Sequence, residues 1–157
     1  MGKVLAIHPE KCTGCQSCEL ACSFQHEGSF RPSAARVHTF TWEREGISVP
    51  MMCRQCDDAA CVNVCPTGAM HHSTNGRKLV AFDKSACIGC QLCTMACPFG
   101  CVHYDTESAS ISKCNICGAC AQFCPNGAIE LVDEAETDNS RGREAAETVK
   151  TALEEAS

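Results

Sequence analysis

Short apolar runs, not long amphipathic stretches, carry the hydrophobic pattern of this chain. Val4–Ile7, Arg36–Trp42, Leu79–Phe82 and Ala128–Val132 are brief and bounded by turn formers, which predicts short strands. Ile47–Pro50 leads into one cysteine-rich loop, Val102–Tyr104 leads out of another, and Ile111 precedes a third. Glu19–Gln25 has the spacing of a helix leaving such a loop. The order strand, loop, helix, strand recurs along the chain. Gly28–Gly46 is a spacer rich in turn formers, and a further turn is expected at Ser73–Gly76. After Asp133 the character changes. Asp133–Ser140 reads as an acidic linker, and Arg143–Ser157 sets Ala145, Val149, Ala152 or Leu153, and Ala156 on one helical face. About fifteen residues is marginal for a free helix, so this tail is expected to dock on its own subunit, on a copy or on a partner.

Composition explains how so little apolar sequence could fold. Aromatic residues make up 5% of the 157, with one Trp and one Tyr, whereas there are 17 cysteines. A thin core of this kind needs metal–ligand bonds as folding energy. Val37, Phe40 and Trp42 are expected to cap a metal centre or to pack between two halves.

Sixteen of the cysteines fall into four quartets: Cys12, Cys15, Cys18, Cys22; Cys53, Cys56, Cys61, Cys65; Cys87, Cys90, Cys93, Cys97; and Cys114, Cys117, Cys120, Cys124. The third has the C-x2-C-x2-C-x3-C-P spacing of bacterial ferredoxins, and the first repeats it with the same Gly and Gln on either side of its second sulfur. The second has two extra residues before Cys61, which must bulge outward. Soft thiolates suit iron–sulfur clusters, and two-residue gaps let the backbone curl so that N–H groups point at sulfur. Pro66, Pro98 and Pro125 close three of the loops, and Ser23 stands in that place after Cys22. In two-cluster ferredoxins the fourth cysteine ligates the other cluster, so the quartets must work in pairs. Four [4Fe-4S] clusters in a row, with no substrate pocket and no catalytic residue, would transfer single electrons.

Two other readings of the cysteines are weaker. Zinc sites pair two C-x2-C units over a longer gap, and a zinc-stabilised interaction protein fits four dense quartets poorly. Disulfides are opposed by the odd total and the tight spacing. Cys101 is expected to be a small buried residue and not a ligand. Lys11, Arg54 and Lys113 adjoin ligands, where a positive charge would raise a local potential, and are expected to be solvated charges or docking contacts. His8, His26, His38, His71, His72 and His103 lack ligand spacing and are expected on the surface or in packing.

The net charge of −6 becomes about −14 if each cluster with its thiolates adds about two negative charges. That charge disfavours nucleic acid and favours partners with basic patches. No apolar run approaches the roughly 20 residues of a membrane span, and no export signal is visible, so a cytoplasmic protein is expected.

Over Cys12–Cys124 the quartets resemble the polyferredoxin electron-transfer subunits of molybdenum and tungsten pterin oxidoreductases, such as dimethyl sulfoxide reductase and formate dehydrogenase. Within that group, residues 18–28, Val49–Pro50, Cys56–Cys61 and Cys65–Met70 are similar to the small iron–sulfur subunit of bacterial tungsten-dependent aldehyde oxidoreductase. The resemblance implies an α+β fold of two fused bacterial-ferredoxin-like halves with short β-hairpins and short helices, each half with two [4Fe-4S] clusters, over 1–133; the change of composition after it marks 134–157 as linker and docking helix. It implies outer quartets paired with each other and inner with inner: Cys12, Cys15, Cys18 with Cys124; Cys114, Cys117, Cys120 with Cys22; Cys53, Cys56, Cys61 with Cys97; Cys87, Cys90, Cys93 with Cys65. Many members of that group have a longer gap between the second and third cysteines of the last quartet than this chain has. The implied partners are a large tungsten- or molybdenum-pterin catalytic subunit and a flavin-containing or other redox subunit. A formate dehydrogenase, hydrogenase or carbon monoxide dehydrogenase module is the alternative partner. Head-to-tail association through the tail helix is a further expectation.

Overall fold

A computed structural model of the chain describes residues 3–74 and 79–133. The expected linker and tail helix, the head-to-tail contact and part of the expected turn at 73–76 lie outside the described residues.

Among the described residues, four two-stranded antiparallel ribbons carry four cysteine loops and four α-helices. β1 (Lys3–Ile7) pairs with β8 (Ile129–Asp133), so the first and last described elements are neighbours, in the register Lys3↔Asp133 to Ile7↔Ile129. β2 (Val37–Trp42) pairs with β3 (Ile47–Met52), β4 (Met70–His72) with β5 (Val80–Phe82), and β6 (Val102–Asp105) with β7 (Ser110–Lys113). The helices are α1 (Ser17–Glu27), α2 (Ala60–Asn63), α3 (Leu92–Ala96) and α4 (Ala119–Gln122). Each contains the third cysteine of its quartet. The architecture is a small α+β arrangement of short strands and few helices, and none of the described helices is long and apolar enough to cross a membrane.

Buried apolar side chains form two clusters. One gathers Ala35, Val37, Met52 and Ile129 around Cys18, Cys22, Cys114 and Cys120, with Cys53 and Cys124 packed against it. The other gathers Ala59, Met70, Val80, Val102 and Ile111 around Cys61 and Cys93, with Cys56, Cys65, Cys87 and Cys97 at its edge. Sulfur thus takes much of the place that aromatic rings hold in an ordinary core.

Two expectations need correction. Val37 is buried, but Phe40 and Trp42 are half exposed, Trp42 at 51%, and are not part of either core cluster. Alternation along β2 explains it, since Val37, Thr39 and Thr41 face the first cysteine loop and the intervening residues must point away. Lys113 is not solvated either; it is 5% exposed. It shares a strand face with Ile111, and period two carries both inward.

An ion-pair fork ties the two regions together. Arg31, in the loop after α1, holds Asp105 at the end of β6 through Nη1–Oδ1 at 3.4 Å and Nη2–Oδ2 at 3.0 Å, and also meets Glu107.

Candidate metal centres

Each cysteine loop turns by the same backbone device. The residue two after the first cysteine is left-handed in all four: Gly14 (φ 69°), Gln55 (φ 52°), Gly89 (φ 70°) and Ile116 (φ 56°). Three loops add a second left-handed residue after the second cysteine: Gln16, Gln91 and Gly118. Such alternations aim successive N–H groups into one concavity, which binds anionic groups. The second loop lacks the second reversal, and its two extra residues reach Cys61 by the longer way.

Hydrogen bonds to sulfur follow the repeat. The fourth cysteine of every quartet accepts a backbone N–H: Arg36 N to Cys22 at 3.2 Å, Met70 N to Cys65 at 3.4 Å, Cys101 N to Cys97 at 3.4 Å and Ala128 N to Cys124 at 3.2 Å. Gly89 N and Ile116 N donate to Cys87 and Cys114, both at 3.4 Å. Thr39 Oγ1 lies 3.5 Å from Cys18 Sγ, and His26 Nε2 lies 3.6 Å from Cys117 Sγ.

The quartets meet in mixed sets. One open cavity is lined by Cys12, Cys15 and Cys18 together with Cys124. A second is lined by Cys87, Cys90 and Cys93 together with Cys65. Elsewhere Cys120 stands within electrostatic reach of Cys114, Cys117 and Cys22, and Cys61 within reach of Cys53 and Cys97. Cys56 belongs to the same core cluster as Cys61 and Cys97.

Electrostatics at these thiols are severe. Burial, compounded by neighbouring sulfurs, pushes Cys120 up to about 12, and burial pushes Cys114 up to about 11. Burial also raises Cys18, Cys22 and Cys61. The Cys93 thiol is raised first by its burial and then by the nearby sulfurs of Cys61, Cys65 and Cys87. Cys65 moves the other way: burial acts against it, but the Met70 N–H and the Thr67 hydroxyl outweigh that and lower it. Thiols crowded in this way become thiolates only beside compensating cations. All seventeen cysteines are free of disulfides. No three His, Cys, Asp or Glu side chains among the described residues stand close enough to hold one bare metal ion. The sulfurs ring a volume, which fits a multi-iron cluster better than a tetrahedral zinc ion.

Cys101 is buried and its thiol donates to Phe99 O at 3.2 Å; burial and the sulfur of Cys97 push it up to about 12. Lys11 and Arg54 are exposed, as expected for solvated charges. Sequence reasoning missed Gln55, whose amide joins two quartets by donating to Cys114 O at 2.9 Å and accepting from Val80 N at 2.9 Å. Its place in the repeat, where two other loops have Gly, was the available signal. It also missed Glu19, a buried carboxylate that accepts the Thr39 N–H at 2.6 Å.

Comparison with known proteins points to iron–sulfur clusters. The 4Fe-4S dicluster domain matches residues 45–134, more than half of the chain, and a 4Fe-4S binding domain matches residues 9–25. The chain belongs to the 4Fe-4S dicluster domain family. It carries multiple [4Fe-4S] clusters, and its relatives include electron-transfer subunits of oxidoreductases. The probable anaerobic dimethyl sulfoxide reductase chain YnfG of Escherichia coli is 34% identical, across 80% of this chain and 70% of its own. The thiosulfate reductase electron transfer subunit PhsB of Salmonella typhi is 35% identical, across 83% and 77%. The polyferredoxin-like subunit of the aliphatic sulfonate oxidoreductase of Pyrococcus furiosus is 37% identical, across 76% and 70%.

Proposed function

We propose that this dicluster-family chain is the electron-transfer subunit of an oxidoreductase and holds four [4Fe-4S] clusters in crossed sets. Cys12, Cys15 and Cys18 act with Cys124; Cys114, Cys117 and Cys120 with Cys22; Cys53, Cys56 and Cys61 with Cys97; and Cys87, Cys90 and Cys93 with Cys65. The observation that carries the reading is the lining of the two cavities, each by three sulfurs of one loop and the fourth of another.

Neighbouring sulfurs support an order for the sets. Cys18 lies within reach of Cys120, Cys114 within reach of Cys53, and Cys61 within reach of Cys93. The row therefore begins at the Cys12 set, passes through the Cys114 and Cys53 sets, and ends at the Cys87 set. When bound, the clusters supply one-electron transfer. The chain's own part is to hold the thiolates, to aim N–H groups at sulfur so that added negative charge is stabilised, and to keep water away.

For the catalytic partner, the similarity of residues 18–28, 49–50, 56–61 and 65–70 to tungsten-dependent aldehyde oxidoreductase supports a tungsten-pterin, aldehyde-oxidising subunit. A flavin-containing or other redox subunit would be the opposite contact. A second reading, favoured by the identity to the dimethyl sulfoxide and thiosulfate reductase chains, gives a molybdenum-pterin partner instead.

Purified anaerobically, the protein should contain about sixteen iron atoms and as many acid-labile sulfides, as four cubes require. Cys124→Ser and Cys12→Ser should each alter the same electron paramagnetic resonance signal, and Cys22→Ser should alter the one altered by Cys114→Ser. Zinc without sulfide, or signals that pair within quartets, would overturn the crossed assignment. Tungsten in the co-purified large subunit supports the first partner; molybdenum supports the second.

A further inference from the structure

Lys113 lies at the junction between the two core clusters and has no part in the ligand set. Its ammonium is buried, and its three hydrogen-bond acceptors are neutral: Val80 O at 2.5 Å, Cys114 O at 3.1 Å and Gln55 Oε1 at 3.3 Å. No carboxylate among the described residues forms an ion pair with it. The same Gln55 amide holds Cys114 O and Val80 N, so the lysine is fixed in a knot joining the second cysteine loop, β5 and β7. A buried cation without a counterion is costly, because hydrogen bonds to neutral groups replace only part of its lost hydration.

The missing negative charge is close at hand. Lys113 directly precedes Cys114 and holds its carbonyl at 3.1 Å, and Cys61 stands within electrostatic reach of the same ammonium. Those two cysteines belong to the two middle sets of the row. A neutral side chain of similar length would fill the same space without the cost of burying charge. The charge itself is therefore the informative part of this position.

We propose that the Lys113 ammonium is a fixed positioning charge that makes the two middle clusters easier to reduce than they would otherwise be. This inference rests on the crossed assignment of ligands given above. It follows from charge balance. A cluster gains one negative charge with each electron it accepts, and a fixed cation next to it favours that state. Cys18 and Cys93 of the end sets show no such influence of Lys113, so the end sets should be affected less. A row whose middle members hold an electron more readily than uncompensated burial would allow has no high step at its centre.

The experiment is a redox titration of the anaerobically purified full chain, followed by electron paramagnetic resonance, with signals assigned by the cysteine variants above. Lys113→Met should lower the two middle potentials so that the reduced-to-oxidised ratio at a set potential falls at least tenfold, about 59 mV for one electron. The two end potentials should move by much less, and Lys113→Arg should stay near the original values. Gln55→Glu, which places a negative charge beside the ammonium, should lower the same two potentials. It keeps the test decisive where Lys113→Met fails to assemble. Four unchanged potentials, or an equal fall in all four, would overturn the role of Lys113 while leaving the ligand assignment in place. A wild-type protein without four clusters would overturn both.

Discussion

The first and third cysteine loops have nearly the same sequence but are placed in opposite circumstances. Cys12–Cys22 and Cys87–Cys97 share Cys, Gly, Gln and Ala at matching places and turn through the same pair of left-handed residues. The first loop is roofed by the β2–β3 ribbon. A side chain at Gly14 would meet Ser48 Oγ at 2.7 Å, whereas one at Gly89 would meet nothing within 4 Å. Around the third loop Ile88 is 68% and Met95 is 83% exposed. The helices differ as well: α1 runs eleven residues through its fourth cysteine, and α3 stops after five, just before Cys97 and Pro98. One motif can thus serve at a covered end and at an open end, because the ligand geometry is set inside the loop and the cover is added by other elements.

The contrast is broken most severely at the residue after the fourth cysteine. Ser23 is fully buried inside α1, its hydroxyl donating to Leu20 O at 3.0 Å and accepting Arg31 N at 3.2 Å. Ser23→Pro should cost ~3 kcal/mol or more, because it removes a helical hydrogen bond and clashes with the preceding turn. The matching Pro98→Ser lies beyond its helix and should shift stability by less than ~1 kcal/mol. Thermal bleaching of the cluster absorbance would measure both, and equal shifts would show that α1 does not need its continuity.

A smaller difference is expected one position after the third cysteine. Glu19→Ala removes the carboxylate that holds Thr39 N–H and should destabilise by ~1.5–3 kcal/mol, the usual range for a hydrogen bond to a charged group. Thr94→Ala, which removes only a local bond to Gln91 O at 2.7 Å, should stay within ~0.5 kcal/mol. Should the two variants melt alike, the ribbon is not held over the first loop by that contact.

The weakest effect concerns the contact between the roof and the second region. The rings of His38 on β2 and His103 on β6 lie edge to face at 4.4 Å. Burial, with a further contribution from His38, holds His103 below the usual histidine value. Its folded-state value lies under the unfolded one, so the unfolded chain takes up the proton first as pH falls through about 6.5. Stability should therefore drop on acidification below that point and be insensitive to this group above it. His103→Gln should flatten that slope, read from bleaching temperatures across the range.

Local features were legible in the sequence and long-range ones were not. β1, β2, β5 and β8 lie within a residue or so of the apolar runs that predicted them, since period and turn residues act over a few positions. β4 escaped because three residues, two of them histidine, show no alternation. The pairing of β1 with β8 joins opposite ends of the described chain and has no local sign. The cysteine repeat announced the kind of cluster through spacing alone. The buried state of Lys113 was within reach by counting two residues on from Ile111; its adjacency to Cys114 suggested a surface charge instead.

The β1–β8 ribbon also bears on the order of events during synthesis. Asp133 must leave the ribosome before Lys3 finds its full partner strand, whereas the residues between Ala59 and Ile111 that form the second core cluster are all made before it. The seam between β1 and β8 is therefore the last of the described strand pairs that synthesis can complete, after every other ribbon has both of its strands.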